Sequence, residues 1–262
     1  MCIILTCESN VRPTHDLVES CFFGNPDGAG IMWVEGGRVQ ISKGFMSAPQ
    51  LIQAIESTPT ESPLVIHMRI ATSGGIDVGT CHPFPVCSDL DVLHAANVEC
   101  DVAVAHNGII KGMRTDEKLG ISDTVTFVSE YMTDLYRGSV TKGVKRRMRE
   151  IAPNNRFAVM TKDGGVYRVG DGWETVTSGI QASNSTWRWT YMDLYDYEDG
   201  YCDGFDEPMY GPEYDDAFDM CCGQCKHIGS CMQYGPMCDE VYDVLEAWDE
   251  GQFVVEDMVA IA

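Results

Sequence analysis

Residues 64–74 read Leu64-Val65-Ile66-His67-Met68-Arg69-Ile70-Ala71-Thr72-Ser73-Gly74, and after a short loop the chain continues Cys81-His82-Pro83-Phe84. The apolar run opens after Pro63, and its length and β-branched content predict a buried strand rather than a helix. That strand carries His67 and Arg69 at its end, where a sheet hands over to loops and where functional side chains are usually displayed. Further short apolar or alternating segments bounded by Gly, Pro, Asn or Asp lie at 2–7, 30–34, 38–42, 102–106, 156–161 and 165–169, and they read as strands too. Helical spacing is found at 48–57, 123–137 and 140–151, the second opened by Ser122, whose hydroxyl suits an N-cap. Many strands with interspersed helices predict a layered α/β or α+β core.

Composition narrows the function. The chain has 262 residues, 44% of them apolar and 22% charged, enough for one substantial core. A net charge of −22 opposes binding to nucleic-acid backbone or to anionic membrane, so neither is expected as a partner. The charge is uneven: residues 1–185 carry 21 acids and 16 bases, whereas residues 186–262 carry 19 acids and only Arg188 and Lys226. No apolar run approaches the roughly 18 residues of a membrane helix, and the start of the chain lacks the basic residues of an export signal, so a soluble, cytoplasmic protein is expected. On that expectation most of the twelve cysteines are reduced thiols. The stretch 193–219 holds eleven acids and no Lys or Arg, which opposes a packed core. Three segments follow: 1–188, an acidic Tyr/Gly-rich linker over 189–220, and a Cys-rich segment over 221–262.

Cys2 directly follows Met1. If aminopeptidase removes Met1, one residue carries both a thiol and a free α-amine. An α-amino group titrates near pH 8, close enough to neutrality to take the thiol proton during attack and return it to a leaving amine. A small residue opening a strand is also ordinary core material, so Cys2 needs support from the rest of the chain.

Three motifs supply that support. Asn25-Pro26-Asp27-Gly28-Ala29-Gly30-Ile31 is a turn signal leading into a strand. His67 to Gly74 with the His82-Pro83 pair is the second, and Ala105-His106-Asn107-Gly108-Ile109 after an apolar strand is the third. In order and residues they resemble the class II glutamine amidotransferases, N-terminal-nucleophile hydrolases, over about residues 2–188. The resemblance implies a four-layer αββα sandwich with a small acidic Cys-rich C-terminal extension. It also implies Cys2 as nucleophile and Asn107 and Gly108 as oxyanion hole. Arg69 would hold the glutamine α-carboxylate, Thr72 would add a contact, and Asp123, in the Ser122-Asp123-Thr124 segment, would take the α-ammonium. A planar guanidinium suits a carboxylate, and two fixed donors suit a developing oxyanion. Ser73 and Thr80 depart from the family pattern, where His and Asn are common.

Each residue also has a plainer explanation. Arg69 suits a surface ion pair, and Asp123 suits a helix N-terminus. Asn107-Gly108 suits a type I′ hairpin turn, and His67 reads best as a satisfied strand-end histidine. For the whole protein three readings stay open: a glutaminase or amidotransferase releasing ammonia to a separate synthase, a hydrolase of another γ-glutamyl amide, and a non-catalytic interaction module. No cofactor motif for catalysis is present. Cys222, Cys225, Cys231 and Cys238 suggest a structural zinc site, with a redox pair or simple packing as alternatives. The basic run Lys142, Lys145, Arg146, Arg147 and Arg149 reads as a solvated helix face.

Overall fold

The computed structural model describes residues 2–70 and 77–188. Thr72 and Ser73, the acidic stretch 193–219 and the four tail cysteines Cys222, Cys225, Cys231 and Cys238 lie outside the described residues.

In chain order the first half contains β1 (Ile3–Cys7), α1 (His15–Phe23), β2 (Ala29–Glu35), β3 (Arg38–Phe45), α2 (Ala48–Glu56) and β4 (Leu64–Met68). A single 3₁₀ turn at Val78–Thr80 precedes β5 (Phe84–Pro85), α3 (Leu90–His94), β6 (Asn97–Cys100) and β7 (Val102–Asn107). A helical run then starts as α4 (Asp123–Thr126), widens to a π-helix over Phe127–Met132 and closes as α5 (Thr133–Leu135). Last come α6 (Lys142–Ile151), β8 (Arg156–Thr161), β9 (Val166–Val169), β10 (Glu174–Thr177) and β11 (Ile180–Ala182).

The strands form two antiparallel sheets, one in the order β10-β11-β1-β4-β2-β3-β6 and the other β5-β7-β8-β9. Period-two alternation sorts their side chains into layers. From β1, β2 and β4, residues Ile3, Leu5, Ile31, Leu64, Ile66 and Met68 pack outward against Val18, Cys21 and Phe22 of α1 and Leu51 and Ile55 of α2. Their neighbours Ile4, Met32 and Val65 point inward and meet Ala103, Ala105, Ala158 and Met160 of β7 and β8. On the far side Val102, Val104, Phe157 and Val159 pack against Val125, Phe127, Val128 and Met132 of the helical run and Val144 and Met148 of α6. Helices therefore cover the outer face of each sheet, while small alanines line much of the contact between the sheets.

The predicted strands and helices are present, with ends moved by up to three residues and with the π-helix in the middle of the second helix. The helix α1 escaped the pattern reading because its buried residues Val18, Ser20, Cys21 and Phe22 bunch together instead of following a clear helical spacing; Thr14 caps it by accepting from Leu17 N at 3.3 Å. The edge strands β6 and β10 are half exposed and too short to show a period. The type I′ hairpin at Asn107-Gly108 is not formed. β7 pairs with β8, Asn107 opposite Arg156, and the intervening chain makes a helical excursion. Gly108 has φ of +138°, outside the left-handed range that such a turn needs. Among the described residues no helix is long and apolar enough to cross a membrane.

Candidate active site

β1 and β4 are antiparallel neighbours, with Ile3 opposite Met68, so Cys2 sits beside the residue that leaves β4. The Cys2 Sγ lies 3.4 Å from both Ile70 N and Ile70 O, accepting from the first and donating to the second. Burial raises the thiol pKa from its ordinary value, while the Ile70 N–H and the charge of Arg69 pull it back. The backbone of Cys2 is clamped from the end of β11, where Asn184 Nδ2 donates to Cys2 O at 2.8 Å.

Arg69 is 6% exposed. Its backbone is tied to the turn at residues 25–28: Arg69 N donates to Gly28 O at 2.9 Å and Asp27 N donates to Arg69 O at 3.0 Å. The Asn-Pro-Asp-Gly motif thus extends the β2–β4 ladder and sets where the arginine leaves the sheet. A Cβ on Gly28 would lie 2.6 Å from Cys81 Sγ at a φ of +114°, so this close approach requires glycine. At the other end of the side chain, Arg69 Nη1 donates to Thr80 Oγ1 at 2.7 Å. Thr80, where the family pattern often has asparagine, is therefore a partner of the guanidinium. Its own position comes from a capping box with Asp77.

Behind that turn stands Lys43, only 3% exposed, donating to Gly79 O at 2.9 Å and Leu93 O at 2.7 Å, with its ammonium 4.1 Å from the centre of the Phe84 ring. Burial lowers its pKa to about 7. Period-two alternation puts Lys43 in phase with the buried Val39 and Ile41, a signal that was passed over because a lone lysine is usually solvent-facing.

Alternation along β7 turns Asn107 toward the other sheet and His106 toward the helices. Asn107 Nδ2 donates to Ser183 Oγ at 2.9 Å, and the same hydroxyl accepts from Ile4 N at 2.9 Å. The second N–H of the Asn107 amide makes no hydrogen bond among the described residues and is available to a ligand. His106 is sandwiched between Asn155 and Thr124. Asn155 Nδ2 donates to Ile109 O and Pro153 O, which turns its Oδ1 to His106 Nε2 at 2.7 Å. His106 accordingly carries its proton on Nε2 and accepts from Thr124 Oγ1 on Nδ1 at 2.7 Å.

Asp123 opens α4. Its Oδ2 accepts from Ile110 N at 2.6 Å, and its Oδ1 accepts from Thr124 N at 2.7 Å with Thr124 Oγ1 3.2 Å away, leaving a lone pair on Oδ2. Ser122 caps the helix as expected, accepting from Val125 N at 3.2 Å. His67 is fully buried, with Nε2 3.0 Å from His106 O and from His82 Nδ1, but its Nδ1 has no partner among the described residues. Burial holds His67 near 3 and lowers His82 and His106 below the usual imidazole value, so all three are neutral at pH 7.

These groups converge on one narrow pocket lined by Cys2, Arg69, Thr80, His82, Gly108 and Asp123, about 40 Å³ in volume. It is tighter than an amino-acid head group, so entry of such a ligand has to part its walls. Of the residues singled out in the sequence, Cys2, Arg69, Gly108 and Asp123 share this pocket, and Asn107 lines an adjoining recess with Cys2 and Gly108. Sequence reading missed Ser183 and Asn184, and took Thr80 for a departure only.

No protein-family profile and no curated protein matches the chain. Among solved structures it is similar to one described as the allosteric regulatory enzyme of purine biosynthesis, at 18% identity and a TM-score of 0.47, over 70% of this chain and 42% of that one. It is also similar to glutamine phosphoribosylpyrophosphate amidotransferase from B. subtilis, complexed with ADP and GMP, at 16% identity and a TM-score of 0.42 over the same shares. The chain spans about two fifths of the length of these structures.

Proposed function

We propose that this chain hydrolyses a γ-glutamyl amide, glutamine in the first instance, as a glutaminase of the class II amidotransferase type with an N-terminal-nucleophile αββα fold. One observation carries the reading: the Cys2 thiol, a buried arginine, a helix-opening aspartate and Gly108 line one narrow pocket, and Asn107 lines the recess beside it together with Cys2 and Gly108. Removal of Met1 frees the α-amine of Cys2. That amine takes the thiol proton as sulfur attacks the γ-carbonyl carbon, and the tetrahedral oxyanion is met by the Asn107 amide and the Gly108 N–H. The C–N bond breaks as the α-ammonium protonates the departing amine, and water then hydrolyses the thioester to glutamate. Arg69 pairs with the α-carboxylate and Asp123 with the α-ammonium of the substrate, with Thr72 as an added contact.

Catalysis on this scheme uses no cofactor. Ammonia would pass to an acceptor synthase on a separate chain, and Cys222, Cys225, Cys231 and Cys238 would hold a structural zinc, which metal analysis of the purified protein tests directly. Intact mass and a glutaminase assay on one sample test the main reading. Protein lacking Met1 that releases ammonia, and Cys2→Ala protein that does not, are the expected results. Equal turnover in Cys2→Ala overturns the mechanism.

A further inference from the structure

Cys2 and Gly108 line two separate depressions. The narrow one contains Arg69, Thr80 and Asp123; the other is a recess of about 680 Å³ with Asn107, Lys111, Glu150, Asn154 and Arg156 on its walls. Cys2 and Gly108 are the residues common to both. If the glutamyl head group sits with Arg69 and Asp123, the bond attacked by Cys2 points its nitrogen substituent into the larger recess. Ammonia has no substituent and leaves that volume unused. A larger amine would fill it.

The charges on the walls indicate what kind of amine. Lys111 and Arg156 are cationic, and Arg156 is held in place by its Nε donating to Asp171 O at 2.8 Å. The carboxylate of Glu150 is engaged by Arg147 at 3.1 Å and Arg146 at 3.6 Å, which offsets its charge. A cationic recess on a chain of net charge −22 is a local reversal of sign, suited to an anionic group.

Resting on the function proposed above, we propose that the preferred substrate is a γ-glutamyl amide whose leaving amine carries a carboxylate, bound between Lys111 and Arg156. In the reaction the γ-C–N bond breaks, the amine nitrogen takes the proton held by the Cys2 α-ammonium, and the acid-bearing amine leaves through the large recess. Water completes the hydrolysis of the thioester to glutamate.

The test compares kcat/KM for glutamine, γ-glutamylglycine and the neutral γ-glutamylglycinamide. The expected order puts γ-glutamylglycine first, by about tenfold or more over the glycinamide. Lys111→Glu and Arg156→Ala should each shrink that anionic-over-neutral ratio by about tenfold. Because the readout is a ratio within one folded protein, loss of stability in a variant does not mimic it. Equal rates for the two glycine derivatives, a ratio unmoved by either substitution, or glutamine as best substrate overturns this proposal and leaves the glutaminase reading standing. Absence of hydrolysis of all three compounds by Met1-free protein overturns both.

Discussion

Ser183→Ala isolates the support of the proposed oxyanion hole from its chemistry. The Ser183 hydroxyl is fully buried and accepts two hydrogen bonds, from Ile4 N and from Asn107 Nδ2, both at 2.9 Å. Removing it strands two buried donors. Each orphan costs about 1–3 kcal/mol of stability, so the melting temperature should fall visibly. The catalytic effect is separate: without its anchor the Asn107 amide turns freely, and its second N–H is no longer aimed before the reaction starts. Deleting an oxyanion donor outright costs about 10²–10³ in kcat, which bounds the effect from above. A donor still present but unanchored should lose about tenfold in kcat, or about 1.4 kcal/mol of transition-state stabilisation. KM should stay within about twofold, because the ground-state carbonyl gains little from the donor. The assay is steady-state ammonia release at a temperature where circular dichroism shows the variant folded, with Asn107→Ala and the double variant completing a cycle. Full kcat in folded Ser183→Ala, or additive losses in the double variant, would refute the argument that the hydroxyl acts through Asn107.

Arg69→Ala should raise KM far more than it lowers kcat, and Thr80→Val, which removes the oxygen accepting from Arg69 Nη1, should do the same to a smaller degree; saturation kinetics on both check the order. Gly108→Ala places a Cβ 2.1 Å from Asn155 Oδ1 at a φ of +138°, and Asn155 is locked by bonds to His106, Ile109 and Pro153, so activity should fall by about 10²-fold or more while a Gly143→Ala control, whose new methyl meets no backbone, stays active. His67, His82 and His106 are neutral in the folded protein, but the unfolded chain protonates them below about pH 6.5. Stability should therefore fall as pH drops from about 6.5 toward the folded value of about 3 for His67, by at most about 1.4 kcal/mol per pH unit per histidine; urea unfolding at pH 7.0 and 5.5 measures it, and equal free energies would contradict the buried neutral assignment.

The strands and the main helices were legible because their signals are local: apolar runs in 64–68 and 102–105, turn formers at 25–28, a serine cap at 122. The hairpin reading of Asn107-Gly108 failed for an equally physical reason. That signal describes a chain folding back on its neighbour, and here β7 finds its partner beyond a helical excursion, at β8. The order of the motifs and their resemblance to a known family nominated Cys2, Arg69 and Asp123, each of which taken alone had a plainer explanation. They said nothing of the bond from Asn107 to Ser183, 76 positions away, of that from Ser183 to Ile4, 179 positions away, or of Thr80 beneath the guanidinium. Those depend on which strands are neighbours and on how two sheets stack through small alanines. A hydrogen bond between distant segments leaves no period or spacing in either one. Local chemistry was written in the chain, whereas bringing Cys2, Arg69 and Asp123 to one pocket depends on the tertiary placement of β1 between β4 and β11.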